Sequence, residues 1–164
     1  MPWSSQTVEE FIAARGLRAR VLRLHASTRT VEDAARELGT DATHIAKTLL
    51  AHLADGRFVV AILRGDTRLD RRKLCRAAQA RAMTLAKADE VLEVTGHPVG
   101  GVPPFPLKTD LAVFIDRRVL AVETVYGGGG EVDALVEVPT AELLAVTGGQ
   151  VVDLALEERE ADPI

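Results

Sequence analysis

Lys47-Thr-Leu-Leu-Ala-His-Leu53 and Arg57-Phe-Val-Val-Ala-Ile-Leu63 are two apolar runs joined through Ala54-Asp55-Gly56. An Asp-Gly dipeptide between such runs is the strongest short-range signal for a β-hairpin, because glycine supplies the positive φ that a tight turn of the right twist requires. The hairpin therefore anchors the prediction. Upstream, Ser4 or Ser5 can cap a helix that stops at Gly16, and residues 18–24 alternate as a strand. Thr30 precedes an amphipathic helix over 31–38 ended by Gly39, and Asp41 caps a further turn carrying His44 and Ile45.

Downstream, residues 69–80 read as a helix, 83–85 as a brief strand and 88–94 as a helix ending near Gly96. Residues 111–115 form a short apolar strand, with 119–125 continuing as helix or strand. Gly127 to Gly130 breaks the chain. Residues 134–138 form another strand, Pro139 starts a helix through Leu144, and 151–154 closes the sheet. Hairpins mixed with scattered helices, without strict strand–helix alternation, predict an α+β fold. The expected architecture is one compact domain over 1–164, a mixed and mostly antiparallel sheet with surrounding helices. Its core spans 21–154, and an acidic tail, 157–164, lies loose.

Bulk properties narrow the function. A chain of 164 residues with 47% apolar and 27% charged residues suits a soluble globular protein. No apolar run reaches the roughly 20 residues of a membrane span, and the N-terminus carries no signal pattern. A lone cysteine, Cys75, excludes a disulfide framework, so a cytoplasmic location is expected. Net charge is −4, against a protein that coats nucleic acid indiscriminately. Charge is nonetheless uneven. Between Arg64 and Arg81, seven basic residues face only Asp66 and Asp70, whereas from Asp116 onward three basic residues face eleven acidic ones. That layout suits a polyanion docking on one face, as it also suits a solvated arginine-rich helix face.

Gly96-His-Pro-Val-Gly-Gly-Val-Pro-Pro-Phe-Pro106 holds three glycines and four prolines in eleven residues. Alternating these residues predicts a loop of defined shape with exposed amides, either a ligand cradle or an ordered crossover. Lys47 stands at the start of an apolar run, on the same face as Leu49; it either snorkels to water or points into a cleft as a fixed cation. A cation beside glycine amides makes a pocket for a carbonyl, carboxylate or phosphate oxygen. His25, His44, His52 and His97 are too dispersed for a metal site, so no metal and no cofactor are expected. There is no nucleophile elbow, P-loop or dinucleotide fingerprint. Cys75 sits among Leu74, Ala77 and Ala78 and reads as a small buried hydrophobe, with a thiol-dependent enzyme as the least favoured reading.

Ala34-Ala35-x-x-Leu38-Gly39, then Ile45-Ala46-Lys47-Thr48-Leu49, Asp55-Gly56 and Gly100-Gly101-Val102-Pro103-Pro104 together resemble the YbaK/EbsC-type aminoacyl-tRNA deacylases. These are relatives of the editing domain inserted in bacterial prolyl-tRNA synthetases. The resemblance runs from about Val21 to Leu154, and Gly127-Gly128 falls where the family has its second glycine segment. It implies a trans-editing hydrolase that cleaves the ester between a mischarged amino acid, cysteine or alanine above all, and the 3′ end of tRNA. Under this reading Lys47 is the key polar residue and Thr48 supports the pocket. The amides of Gly100 and Gly101 cradle the ester, with Pro104, Gly127, Gly128, His25 and Thr30 as further substrate-binding positions. Arg64, Arg68, Arg71 and Arg72 are the candidates for tRNA contact. Expected partners are aminoacylated tRNA and, as a second candidate, an aminoacyl-tRNA synthetase. The alternative is a non-catalytic module of the same fold that binds an aminoacyl-adenosine-like ligand or a synthetase.

Overall fold

A computed structural model describes residues 3–24 and 30–157. Helix α1 (Ser5–Arg15) leads into β1 (Arg20–Arg23), followed by α2 (Val31–Leu38) and a 3₁₀ turn at Ala42–His44. The hairpin is β2 (Ala46–Leu53) and β3 (Phe58–Arg64). Then come α3 (Arg71–Ala78), β4 (Met83–Leu85), α4 (Ala88–Thr95), β5 (Ala112–Asp116) and a 3₁₀ helix at Arg117–Ala121. β6 (Thr124–Gly128), β7 (Ala134–Pro139), α5 (Thr140–Thr147) and β8 (Gln150–Val152) complete the chain.

Helix boundaries follow the sequence signals. The Thr30 hydroxyl accepts from the Asp33 amide at 3.1 Å, and an Asp70 carboxylate oxygen accepts from Arg72 N–H at 2.9 Å. Gly16, Gly39 and Gly96 end their helices in left-handed conformations. α3 is capped the same way by Gln79, at φ 55°, which is why its end was not legible from a glycine.

The strands divide between two sheets, not one. A five-stranded mixed sheet runs β4-β2-β3-β5-β8, and a three-stranded antiparallel sheet runs β1-β7-β6. β3 is central and buried on both faces, hence its unbroken apolar run. Val60 and Ile62 pack into a core with α1 and the second sheet, while Val59, Ala61 and Leu63 pack under α3 with Leu154. The two sheets touch where Ile45 bridges Tyr126 in parallel register.

Two expectations need correction. Gly127 and Gly128 do not break the chain; they are the last residues of β6, paired with Val136 and Leu135. Glycine is required there for closeness. A Cβ on Gly128 would lie 2.3 Å from the Val102 carbonyl oxygen, and one on Gly129 would lie 2.6 Å from the backbone of β7. Residues 119–125 are neither one helix nor one strand but the end of a 3₁₀ helix, a short turn and the start of β6. Among the described residues no helix is long and apolar enough to cross a membrane.

Candidate functional site

Past the Ile45–Tyr126 bridge the sheets part and leave a cavity of about 340 Å³. Ligand pockets span roughly 300–1,000 Å³, so this one lies at the small end of that range. Its wall is mainly apolar: Val31 and Ala34 from α2, Leu49 and Leu50 from β2, Leu85 from β4, Val91 from α4. Thr30, Lys47, Thr48, Gly100, Gly127 and Gly128 supply the polar positions. Six of the residues singled out in the sequence therefore converge, from four segments of the chain.

Lys47 faces the α3 side of the sheet together with Leu49, as strand alternation requires. Its Nζ donates to the Thr67 carbonyl. That carbonyl belongs to a braced turn. Arg64 and Asp66 form a two-point ion pair at 2.6 and 3.0 Å, the Thr67 hydroxyl donates to the Arg64 carbonyl at 2.7 Å, and Gly65 N–H donates to the Ile45 carbonyl at 2.7 Å. A Cβ on Gly65 would lie 2.7 Å from Val31 Cγ1, so α2 is seated directly on the turn. Burial pushes the Lys47 pKa below the ordinary lysine value. Glu32 and Asp66 act against that shift and Arg68 adds to it. An ammonium with one of its three donors used among the described residues is thereby fixed at the cavity wall.

The glycine- and proline-rich loop is mostly interior and does not present a row of free amides. Gly101 N–H donates to the Pro98 carbonyl at 2.9 Å, and the Gly101 carbonyl accepts from Gly130 N–H at 2.8 Å. Gly101 is buried against Glu131, whose backbone lies 2.8 Å from where a Cβ would be. It thus has no donor to offer an ester. Pro104 is also buried, behind Gly127 and off the cavity wall. Only Gly100 of the pair faces the cavity. Its apolar neighbours Val99 and Val102 line it too; they were missed because valine carries no chemical signature.

His97 fastens this loop. Its side chain is fully buried, Nδ1 lies 3.2 Å from the Gly130 carbonyl and Nε2 3.3 Å from the Pro106 carbonyl. Desolvation pushes its pKa below the ordinary histidine value, although both carbonyls favour the charged form. His44 sits beside Asp41, and His52 stacks on Phe58 with ring centres 4.3 Å apart. Among the described residues no three histidine, cysteine, aspartate or glutamate side chains gather as metal ligands would. His25 lies outside the described residues. Cys75 is half-buried in α3, packed onto the core beneath that helix.

Of the four arginines expected at tRNA, Arg68, Arg71 and Arg72 are exposed, Arg68 near enough to Lys47 to affect its charge. Arg64 is committed to Asp66.

The aminoacyl-tRNA editing domain family matches residues 25–146. The chain is 32% identical over 123 residues to the uncharacterized protein YwhH of Bacillus subtilis, covering 75% of this chain and 78% of that one. It is 35% identical over 107 residues to a proline–tRNA ligase of Bacillus licheniformis, but spans only 18% of that ligase's length. A solved candidate trans-editing enzyme for prolyl-tRNA synthetase superposes with a TM-score of 0.86 at 34% identity, over 93% of this chain and 97% of that one. The hypothetical protein APE2540 gives 0.85 at 42% identity, over 91% and 99%.

Proposed function

The chain belongs to the aminoacyl-tRNA editing domain family, and from that premise we propose that it is a trans-editing hydrolase. It would cleave the ester between a small mischarged amino acid, cysteine or alanine, and the 3′-terminal adenosine of tRNA. The observation that carries the reading is the Lys47 ammonium, held by the Thr67 carbonyl at the wall of a small apolar cavity. Water attacks the ester carbonyl carbon, the carbon–oxygen bond to the ribose breaks, and free amino acid and tRNA leave. An aminoacyl ester is already activated, so positioning and charge stabilisation can supply most of the rate. Lys47 serves as the cation for the terminal phosphate or the ester carbonyl. Gly100, Gly127 and Gly128 let the substrate approach the backbone, and Thr48 and Thr30 border it.

The names of the relatives extend the proposal: the tRNA would be one handled by prolyl-tRNA synthetase, with that enzyme as a candidate partner, in the cytoplasm where translation runs. Arg68, Arg71 and Arg72 would meet the phosphates of the acceptor stem, and the core 21–154 is the working unit.

Hydrolysis of a panel of mischarged tRNAs, alanyl- and cysteinyl-tRNA for proline among them, tests this. Wild type should release at least one amino acid, and Lys47→Ala should fall on the order of 10²-fold or more, the usual cost of losing one charge-stabilising group. Equal rates would remove Lys47 from the mechanism. Binding of a non-hydrolysable aminoacyl-adenosine with no hydrolysis of any tRNA would identify a binding module instead.

A further inference from the structure

Opposite residues of an antiparallel pair alternately exchange both main-chain hydrogen bonds or neither. In β2 the phase is set at both ends. Leu53 N–H donates to Arg57 at 2.8 Å, so odd-numbered residues bond to β3; the Leu50 carbonyl accepts from Ala86 N–H at 2.9 Å, so even-numbered ones turn away. Thr48, opposite Ile62, therefore aims its N–H and C=O out of the sheet edge. β4 pairs with β2 only at Ala51, His52 and Leu53 and does not reach it.

The facing wall repeats the pattern. Gly129 N–H donates to the Ala134 carbonyl at 2.9 Å, so odd-numbered residues of β6 bond to β7, and Gly128, opposite Leu135, turns its main chain away. Tyr126 has the same parity, and its outward edge meets Ile45. Two strand edges thus start in contact and diverge, with Thr48 and Gly128 just past the fork and both lining the cavity. Among the described residues no loop, turn or cap residue bonds to either outward edge, and the two edges bridge at Ile45 and Tyr126 and not at Thr48 or Gly128. Unpaired main-chain groups in an apolar cavity are costly unless water or a ligand completes them.

Among the described residues no carboxylate lines that cavity. Glu32 and Asp66 are close enough to Lys47 to hold up its charge. An α-ammonium entering here must find a carbonyl oxygen. The N–H and C=O of one extended residue match the C=O and α-nitrogen of an aminoacyl group, just as they match a residue of a neighbouring strand. We propose that Thr48 grips the aminoacyl group by its main chain, as if adding a one-residue strand to β2. Thr48 N–H donates to the ester carbonyl, the substrate ammonium donates to the Thr48 carbonyl, and Gly128 N–H closes on the group from the other wall. The inference rests on the editing reading and sharpens it: the preferred substrates are esters of α-amino acids with a free ammonium, and Thr48 positions them by its backbone, whatever its side chain.

The test uses the ¹⁵N-labelled full chain and two probes, 3′-deoxy-3′-(L-alanylamino)adenosine and its lactoylamino counterpart. The alanyl probe should shift the amide signals of Thr48 and Gly128 and slow solvent exchange at Thr48 at least tenfold, while Leu49, bonded to β3, stays still. The lactoyl probe, offering a neutral donor in place of a charged one, should bind about tenfold more weakly, since charge-assisted hydrogen bonds are roughly twice as strong. Saturation by the alanyl probe without movement at Thr48 and Gly128, or equal affinity for both probes, overturns the grip. If tRNA hydrolysis is seen with such a result, the editing function stands and only the grip falls. Neither hydrolysis nor probe binding would take down both.

Discussion

Placing one methyl group at Gly128 should cost the protein far more than placing it at Gly127. An ideal Cβ on Gly128 falls 2.3 Å from the Val102 carbonyl oxygen and 3.0 Å from the Gly101 carbonyl carbon. Ordinary contact begins near 3.4 Å, so the loop or the strand must move by about 1 Å, and every atom in the way is backbone. Overpacking of this kind costs about 1–3 kcal/mol. At about 2–4 °C per kcal/mol for a chain of this size, Gly128→Ala should melt roughly 2–12 °C below wild type. It should also lose hydrolytic activity, because the displaced segment carries the Gly100 and Val102 wall. On Gly127 the Cβ would lie 3.4 Å from Pro104 Cδ and 3.5 Å from the Ala46 carbonyl oxygen, which is normal packing. Gly127→Ala should therefore melt within about 2 °C of wild type. Its methyl group points toward Pro104 and Val136, off the cavity wall, and should leave the preference between alanyl- and cysteinyl-tRNA unchanged. Thermal melting monitored by circular dichroism and deacylation of alanyl- against cysteinyl-tRNA measure both effects. Equal melting of the two variants would refute the packing argument. A changed amino-acid preference in Gly127→Ala would refute the direction assigned to that methyl group.

Three further outcomes follow from the same geometry. Lys47→Met removes a half-buried ammonium whose pKa burial lowers. Stability held back by that charge returns only as pH rises through the lowered folded pKa, so at neutral pH the variant should denature within about 1 kcal/mol of wild type while losing activity, as urea titration beside deacylation would show. Asp153, held by Lys73 at 2.9 Å and Arg118 at 3.0 Å, has its pKa lowered from 3.8 to about 2. The folded value lies below the unfolded one, so this stabilisation is complete above about pH 4 and lost toward pH 2. Screening at a carboxylate 36% exposed brings it to about 1 kcal/mol, readable as the flattening of wild-type acid denaturation in Asp153→Asn. Replacing Arg68, Arg71 and Arg72 together by alanine should lower the slope of log affinity for tRNA against log salt by up to about 0.9 per lost phosphate contact; an unchanged slope would place the tRNA elsewhere.

The fold was legible wherever one local signal decided one element. Asp55-Gly56 specified the hairpin, Thr30 the start of α2, and Gly16, Gly39 and Gly96 the helix ends. The division into two sheets was not legible, because it depends on β1 pairing with β7 across more than a hundred residues. Gly127 and Gly128 misled because glycine usually weakens a strand; here the close approach of Val102 and β7 overrides that preference. In the site, Lys47 stood out since a lysine in an apolar run is conspicuous. Gly101 stood out for the wrong reason. Its type signals freedom of the backbone, but that freedom serves contact with Glu131 and Gly130.

That last distinction bears on how such a site works. Donors that are main-chain groups leave no trace in residue identity, so the identity pattern records only what makes room for them: Gly100, Gly127 and Gly128 at the walls, Gly65 and Gly101 behind. Among the described residues Lys47 is the single charged side chain on the wall, and even it is held by a main-chain carbonyl. A side-chain base would need a titrating group aimed at the ester, and among the described residues none lines the cavity besides this lysine. Buried in the loop, His97 has its ring nitrogens turned to the Gly130 and Pro106 carbonyls, so it cannot serve as that group. Under the proposed function, rate comes from a fixed cation and fixed dipoles acting in an apolar enclosure, where electrostatic interactions are strongest. Selectivity would then come from cavity volume, which the small and branched side chains of α2, β2 and β4 set.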